Sequence, residues 1–258
     1  PNNIAKIQIT AENAQYEKGH SLNEQELETA ATRTQLVDLL TELKGKGINY
    51  IQFCGGEPLN RFSLLADLIK MASPWATVWV ATSGCRLTKN RAEQLKAAGL
   101  TGIAIPLAHY NSKVHNKRVG NQESYYWAQC GVEQAQKVGL ATAWHLRPHP
   151  AETTPYYIDE VMNRAKEIGV NFVQFSDFPA SRKALPATQS LLQRQHSVLE
   201  EMFVKYNHQQ NQSAWPTVSY PAYHQRRIGC FHHHRSLNYN YKLELKTCSF
   251  CSGSGAEG

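Results

Sequence analysis

Four residues in this chain combine backbone freedom with charge: Gly55-Gly56-Glu57-Pro58, closing the stretch NYIQFCGGEP. Two glycines let backbone N–H and C=O groups approach a ligand closely. A carboxylate beside them can accept hydrogen bonds from an ammonium group. Pro58 suits the first position of a helix. The same residues also read as an acidic surface turn with a good helix start. A second group of reactive side chains lies near the other end, as Cys230-x17-Cys248-x2-Cys251 with His232, His233 and His234 between. A C-x-x-C with a third thiol fits a metal better than a disulfide in a reducing compartment. Zinc with one histidine as fourth ligand is one expectation; unligated thiols are the other.

The elements that must position these residues follow from periodicity. Strands are expected at Ala5–Thr10, Ile48–Phe53, Thr77–Thr82, Thr101–Leu107, Leu140–Leu146 and Asn171–Phe175. Helices are expected at Gln35–Leu43, Phe62–Met71, Lys89–Ala98, Glu123–Val138 and Pro155–Ile168, several stopped by glycine. Five of the six strands are followed by a helix, which implies a parallel sheet with helices outside: an α/β fold, a partial (β/α)6 barrel. Ligands then gather at the carboxyl ends of the strands, at Gly55–Pro58, Ser83–Cys85, Leu107–Tyr110, Arg147–Pro150 and Ser176–Arg182. A last helix is expected at Ala187–Tyr206. The domain expectation is a barrel over 1–206, a polar spacer at 207–219, a small Cys-containing C-terminal extension at 220–251 and a disordered tail at 252–258.

Composition bounds the rest. The chain has 258 residues, 41% hydrophobic, and a formal charge of +6, so it can bury a substantial core. No apolar run is long enough to span a bilayer, and no signal-peptide pattern opens the chain, so a cytoplasmic protein is expected. The basic charge is scattered, so nucleic acid is not expected as a partner. Cys54, Cys85 and Cys130 are isolated and expected as small buried hydrophobes. His115, His145 and His149 are expected to be structural.

Gly-Gly-Glu-Pro after the second strand of a βα barrel resembles the radical S-adenosylmethionine (SAM) superfamily. VWVATSG (Val78–Gly84) resembles its third strand, and GIAIPLAHYNSKVHNKRVG (Gly102–Gly120) its fourth strand and loop, with an HxxxRG-like pattern from His115 to Gly120. GVNFVQFSDFPASRKA (Gly169–Ala184) resembles its sixth. The resemblance runs over residues 4–206. It implies that Gly55, Gly56 and Glu57, with Pro58 fixing the turn, bind the methionyl amino group of SAM. It implies further that Ser83 lines that pocket, and that His109, Asn111 and Arg147 meet ribose or carboxylate. Tyr110, Trp144 and Tyr223 are candidates to line a substrate cavity. The implied activity is reductive cleavage of SAM at a [4Fe–4S] cluster and hydrogen abstraction from a peptide or natural-product substrate, with an electron-donor protein as partner.

The chain departs from this family in one respect: it has no cysteine before Cys54, where the family carries C-x-x-x-C-x-x-C after the first strand. Placing one cysteine between Glu12 and Asn13, one between Gln15 and Tyr16 and one between Glu17 and Lys18 restores that spacing behind Ile9-Thr10. Three readings stand: an enzyme whose natural chain carries those cysteines, a relative that has lost the cluster and binds SAM, a peptide or a partner without chemistry, and a zinc-stabilised RNA- or peptide-binding module. The C-terminal cysteines, with LNYNYKLEL (Leu237–Leu245) as a hairpin, resemble SPASM or twitch extensions and imply an auxiliary [4Fe–4S] cluster, against the zinc alternative.

Overall fold

In the computed structural model the described residues are 3–10, 30–176, 186–209, 215–221, 223 and 236–246. The chain divides into two compact units: Pro1–Thr82, Asn90–Gly102 and Cys230–Gly258 form the first, and Ser83–Lys89 with Ile103–Gly229 the second.

The first unit contains β1 (Ile4–Gln8), α1 (Arg33–Gly45), β2 (Tyr50–Cys54), a 3-10 turn (Pro58–Arg61), α2 (Phe62–Ala72), β3 (Thr77–Ala81) and α3 (Lys89–Ala97). β1 pairs in parallel with β2, and β2 with β3. Alternation decides which face is buried. Ala5, Ile7, Ile51, Phe53, Val78 and Val80 are fully buried, as are Leu43, Leu65, Leu68 and Ile69 of the helices. The alternate residues Lys6, Gln8, Gln52, Cys54 and Trp79 are only half-buried. Helix α1 starts with a reciprocal cap: the Gln35 N–H donates to Thr32 Oγ1 at 3.3 Å and the Thr32 N–H to Gln35 Oε1 at 2.9 Å.

The second unit contains β4 (Gly102–Leu107), α4 (Ser112–Val119), α5 (Ser124–Lys137), β5 (Ala141–Leu146), α6 (Pro155–Ile168), β6 (Phe172–Phe175), α7 (Pro186–Val204), a π-helical turn (Lys205–Gln209) and β7 (Thr217–Ser219). β5 pairs in parallel with β6, and β6 with β7. Gly169 closes α6 in the left-handed region at φ 81°, as the helix-stop reading requires.

Three features differ from expectation. Stretch 207–219, expected as a spacer, contains β7; the Asn207 carboxamide accepts from the Val218 N–H and donates to its C=O, taking both backbone groups of one strand residue. Helix α4 was expected as loop, because SKVHNKRV has one buried residue, His115, and no apolar stripe; Asn111 caps it instead. Cys54, Cys85 and Cys130 are half-buried rather than core residues. The Leu237–Leu245 hairpin is present as β8 (Ser236–Tyr239) and β9 (Leu245–Lys246), antiparallel. Its turn is held by Asn240 Oδ1, which accepts from the Lys242 and Glu244 N–H groups. β8 also adds in parallel to the open edge of β1. Among the described residues no helix is long and apolar enough to cross a membrane.

Candidate functional site

The Gly55–Pro58 turn leaves the carboxyl end of β2 and is fixed from two sides. On one side stands Thr10, just past β1. The Ile9 N–H donates to the Cys54 C=O at 2.9 Å, and the Gly56 N–H reaches the Thr10 C=O at 3.4 Å. Gly55 has φ 140°, and a Cβ there would lie 2.6 Å from the Thr10 carbonyl oxygen and 2.8 Å from its nitrogen. Only glycine lets these two backbones meet. The Thr10 hydroxyl, in a residue 1% exposed, is buried against the turn without a hydrogen-bond partner among the described residues.

On the other side the Glu57 carboxylate is buried, 4% exposed. Its Oε1 accepts from the Leu59 N–H at 3.0 Å and from the Thr82 hydroxyl at 2.7 Å. The first bond caps the 3-10 turn that Pro58 opens. The second ties the end of β2 to the end of β3.

Arg61 is the residue that the sequence did not flag. Its guanidinium donates to the Ile9 C=O at 2.8 Å and to the Ala31 C=O at 3.1 Å, so one side chain ties together two backbone positions 22 residues apart. Burial lowers its pKa from the ordinary arginine value. The expected cluster-loop residues Glu12, Asn13, Gln15, Tyr16, Glu17 and Lys18 lie outside the described residues, as do Cys230, Cys248 and Cys251. Among the described residues no group of three or more His, Cys, Asp and Glu side chains could hold a metal.

The remaining expected site residues belong to the second unit. Ser83 is buried, and its Oγ accepts from the Cys85 N–H at 3.2 Å. Asn111 spends its carboxamide oxygen on the Lys113 and Val114 N–H groups as the α4 cap. Arg147 is exposed at the end of β5. His109 stacks on Tyr110 at 4.5 Å between ring centroids and meets Tyr157 edge-on at 5.2 Å. Its Nδ1 accepts from the Asn111 N–H at 2.9 Å, and burial, with Arg118 nearby, lowers its pKa. Trp144, a candidate to line a cavity, is 1% exposed and belongs to the core. Tyr223 packs against Phe203 at 4.5 Å.

The HxxxRG-like pattern also has a structural use. His115, 2% exposed, accepts the Ala108 N–H on Nδ1 at 3.1 Å. Arg118 donates to the Ala108 C=O at 3.0 Å and pairs with Glu152. His145 shares a 2.8 Å hydrogen bond with Ser176, joining the ends of β5 and β6.

The family model of the radical SAM superfamily matches residues 16–148, just over half of the chain. The chain belongs to the radical SAM superfamily. Radical SAM structures resemble it over nearly its full length. SuiB of Streptococcus suis bound to the precursor peptide SuiA has a TM-score of 0.68 at 13% identity, covering 99% of this chain and 62% of SuiB. Native anSMEcpe with bound AdoMet has a TM-score of 0.62 at 13% identity, covering 97% and 76%. Methylornithine synthase (PylB) has a TM-score of 0.52 at 10% identity, covering 85% and 72%. At these identities the likeness shows the fold, the α/β partial-barrel class expected from the βα repeat. The chain spans about three fifths of the length of SuiB. No protein of curated function matches it.

Radical SAM membership implies two groups, and the residues fit them differently. The Gly55–Pro58 turn, with an unpartnered buried hydroxyl against it, fits SAM. The cluster requires soft anionic sulfur ligands. Before Cys54 the chain has no thiol, and the carboxylate, amide, phenol, amine and imidazole side chains of segment 11–29 are no substitute. The residues present do not fit a cluster held as the family holds it.

Proposed function

We propose that this chain binds SAM through the Gly55–Pro58 turn and serves the modification of a peptide or natural-product substrate. The observation that carries this reading is the turn itself. It is a glycine backbone pinned to Thr10, braced by Glu57 and closed by a buried hydroxyl that lacks a partner among the described residues. An unpaired buried hydroxyl costs about 1–3 kcal/mol, and a ligand at the turn offsets that cost. The carbonyls of a glycine turn are acceptors suited to an ammonium group, and the positive φ of Gly55 orients them without a side chain in the way. The peptide class is supported by likeness to SuiB with its precursor peptide and to anSMEcpe with a bound peptide.

The chemistry implied by the resemblance is one-electron cleavage of SAM at a cluster, and this chain does not supply its thiolates. A second reading therefore stands beside the first: a binding relative without that chemistry, favoured by the absence of cysteine before Cys54. Cys230, Cys248 and Cys251 remain a proposed metal site, iron–sulfur or zinc. Anaerobic reconstitution with iron and sulfide decides. In a chain that carries cysteines after Glu12, Gln15 and Glu17, cluster absorbance that persists in a Cys230→Ser/Cys248→Ser/Cys251→Ser variant, with 5′-deoxyadenosine formed on reduction, supports the enzyme. SAM binding without either supports the binding protein. Absence of SAM binding by folded protein overturns both.

A further inference from the structure

We propose that Glu57 serves the SAM site by holding the turn rather than by supplying charge, and that Thr82 is the positioning residue through which it does so. This rests on the SAM reading of the turn and specifies how the turn works.

One carboxylate oxygen has two lone pairs. Both on Glu57 Oε1 are taken, by the Leu59 N–H at 3.0 Å and by the Thr82 Oγ1 hydroxyl at 2.7 Å. Glu57 is 4% exposed and Thr82 2% exposed, so both bonds form away from competing water. They act in two directions. The Leu59 bond folds the carboxylate back over the start of the 3-10 turn. The Thr82 bond reaches 25 residues along the chain to the end of the neighbouring parallel strand. Glu57 is therefore the cross-strand strut of the turn, and Thr82 its footing. Pinned by Thr10 at Gly55 and by Thr82 at Glu57, the backbone between them has its carbonyls fixed before ligand arrives. Affinity then comes from avoided ordering cost.

This differs from an ion pair in a way that chemistry can separate. A strut needs an acceptor at Oε1; an ion pair needs net negative charge. Glu57→Gln keeps the acceptor and removes the charge. Thr82→Val keeps the shape and removes the donor. Thr82→Ser keeps the donor.

The test is calorimetric SAM affinity of the full chain and four variants, with amide hydrogen exchange over residues 55–60 in parallel. The strut predicts Glu57→Gln and Thr82→Ser within about threefold of the parent, and Thr82→Val and Glu57→Ala weaker by about tenfold, the size of one buried hydrogen bond. It also predicts faster exchange at Leu59 in Thr82→Val and Glu57→Ala alone. Glu57→Gln as weak as Glu57→Ala, or Thr82→Val at parent affinity, overturns the proposal. A folded parent without SAM binding overturns the SAM reading instead. In that case the exchange pattern still decides the strut: faster Leu59 exchange in Thr82→Val supports it, and unchanged exchange refutes it.

Discussion

Gly55→Ala is the sharpest perturbation available at the turn. At φ 140° an L side chain is strained, which costs roughly 1–3 kcal/mol. The added Cβ would also stand 2.6 Å from the Thr10 carbonyl oxygen and 2.8 Å from its nitrogen. Those are backbone atoms, and Thr10 is held by its neighbours: the Ile9 N–H donates to the Cys54 C=O, and the Ile9 C=O accepts from Arg61. Relieving the overlap moves β1 against β2, a cost of about 1–3 kcal/mol by analogy with overpacked cores. The total is about 4 kcal/mol. Gly47→Ala is the control. Gly47 lies in the same unit at φ 71° with nothing within 4 Å of an added Cβ, so it bears only the left-handed strain of about 1–2 kcal/mol. Near 2–4 °C per kcal/mol for a chain of this size, Gly55→Ala should melt roughly 5–10 °C below Gly47→Ala in scanning calorimetry. Equal melting temperatures for the two variants would refute the claim that Gly55 is required by close backbone approach.

Four further outcomes follow from the geometry. Tyr157→Phe removes a buried hydroxyl without a partner and should leave thermal stability unchanged or raise it by up to about 1–2 kcal/mol; a lower melting temperature would show that the hydroxyl is in use. His115 is buried beside His109, which lowers its pKa from the ordinary histidine value near 6.5 to about 4. The unfolded chain then binds more protons between those values, so stability is full above pH 6.5 and is lost as pH falls toward 4. In urea titrations His115→Gln should remove up to about 3 kcal/mol of that acid dependence. Arg61→Met removes the bonds to the Ile9 and Ala31 carbonyls and should lower the melting temperature, while an unchanged melting temperature would count against the clamp. Placing cysteines after Glu12, Gln15 and Glu17, in a chain with Cys230, Cys248 and Cys251 changed to Ser, should confer iron and sulfide uptake that the same chain without them lacks; equal uptake would sink the spacing argument.

What the sequence made legible was local. Alternation located the six βα strands, glycines such as Gly139 and Gly169 marked helix ends, and the Gly-Gly-Glu-Pro turn stood out by composition. The hairpin at Leu237–Leu245 was legible for the same reason. What stayed hidden depends on partners distant in the chain. Nothing near Glu57 announces Thr82, 25 residues away, and nothing near Arg61 announces carbonyls 52 and 30 residues back. The parallel addition of β8 to β1 depends on an open strand edge that only the assembled sheet defines. Helix α4 escaped because a cap, not an apolar stripe, begins it. Trp144 shows the converse: a residue type suited to line a cavity can be spent on the core.

The central claim is that the Gly55–Pro58 turn binds SAM. Equilibrium dialysis of the folded chain against labelled SAM tests it most directly. Saturable one-site binding is expected, which unlabelled S-adenosylhomocysteine competes away and Gly55→Ala abolishes. Failure of the folded chain to retain SAM, or retention that Gly55→Ala leaves intact, would contradict it.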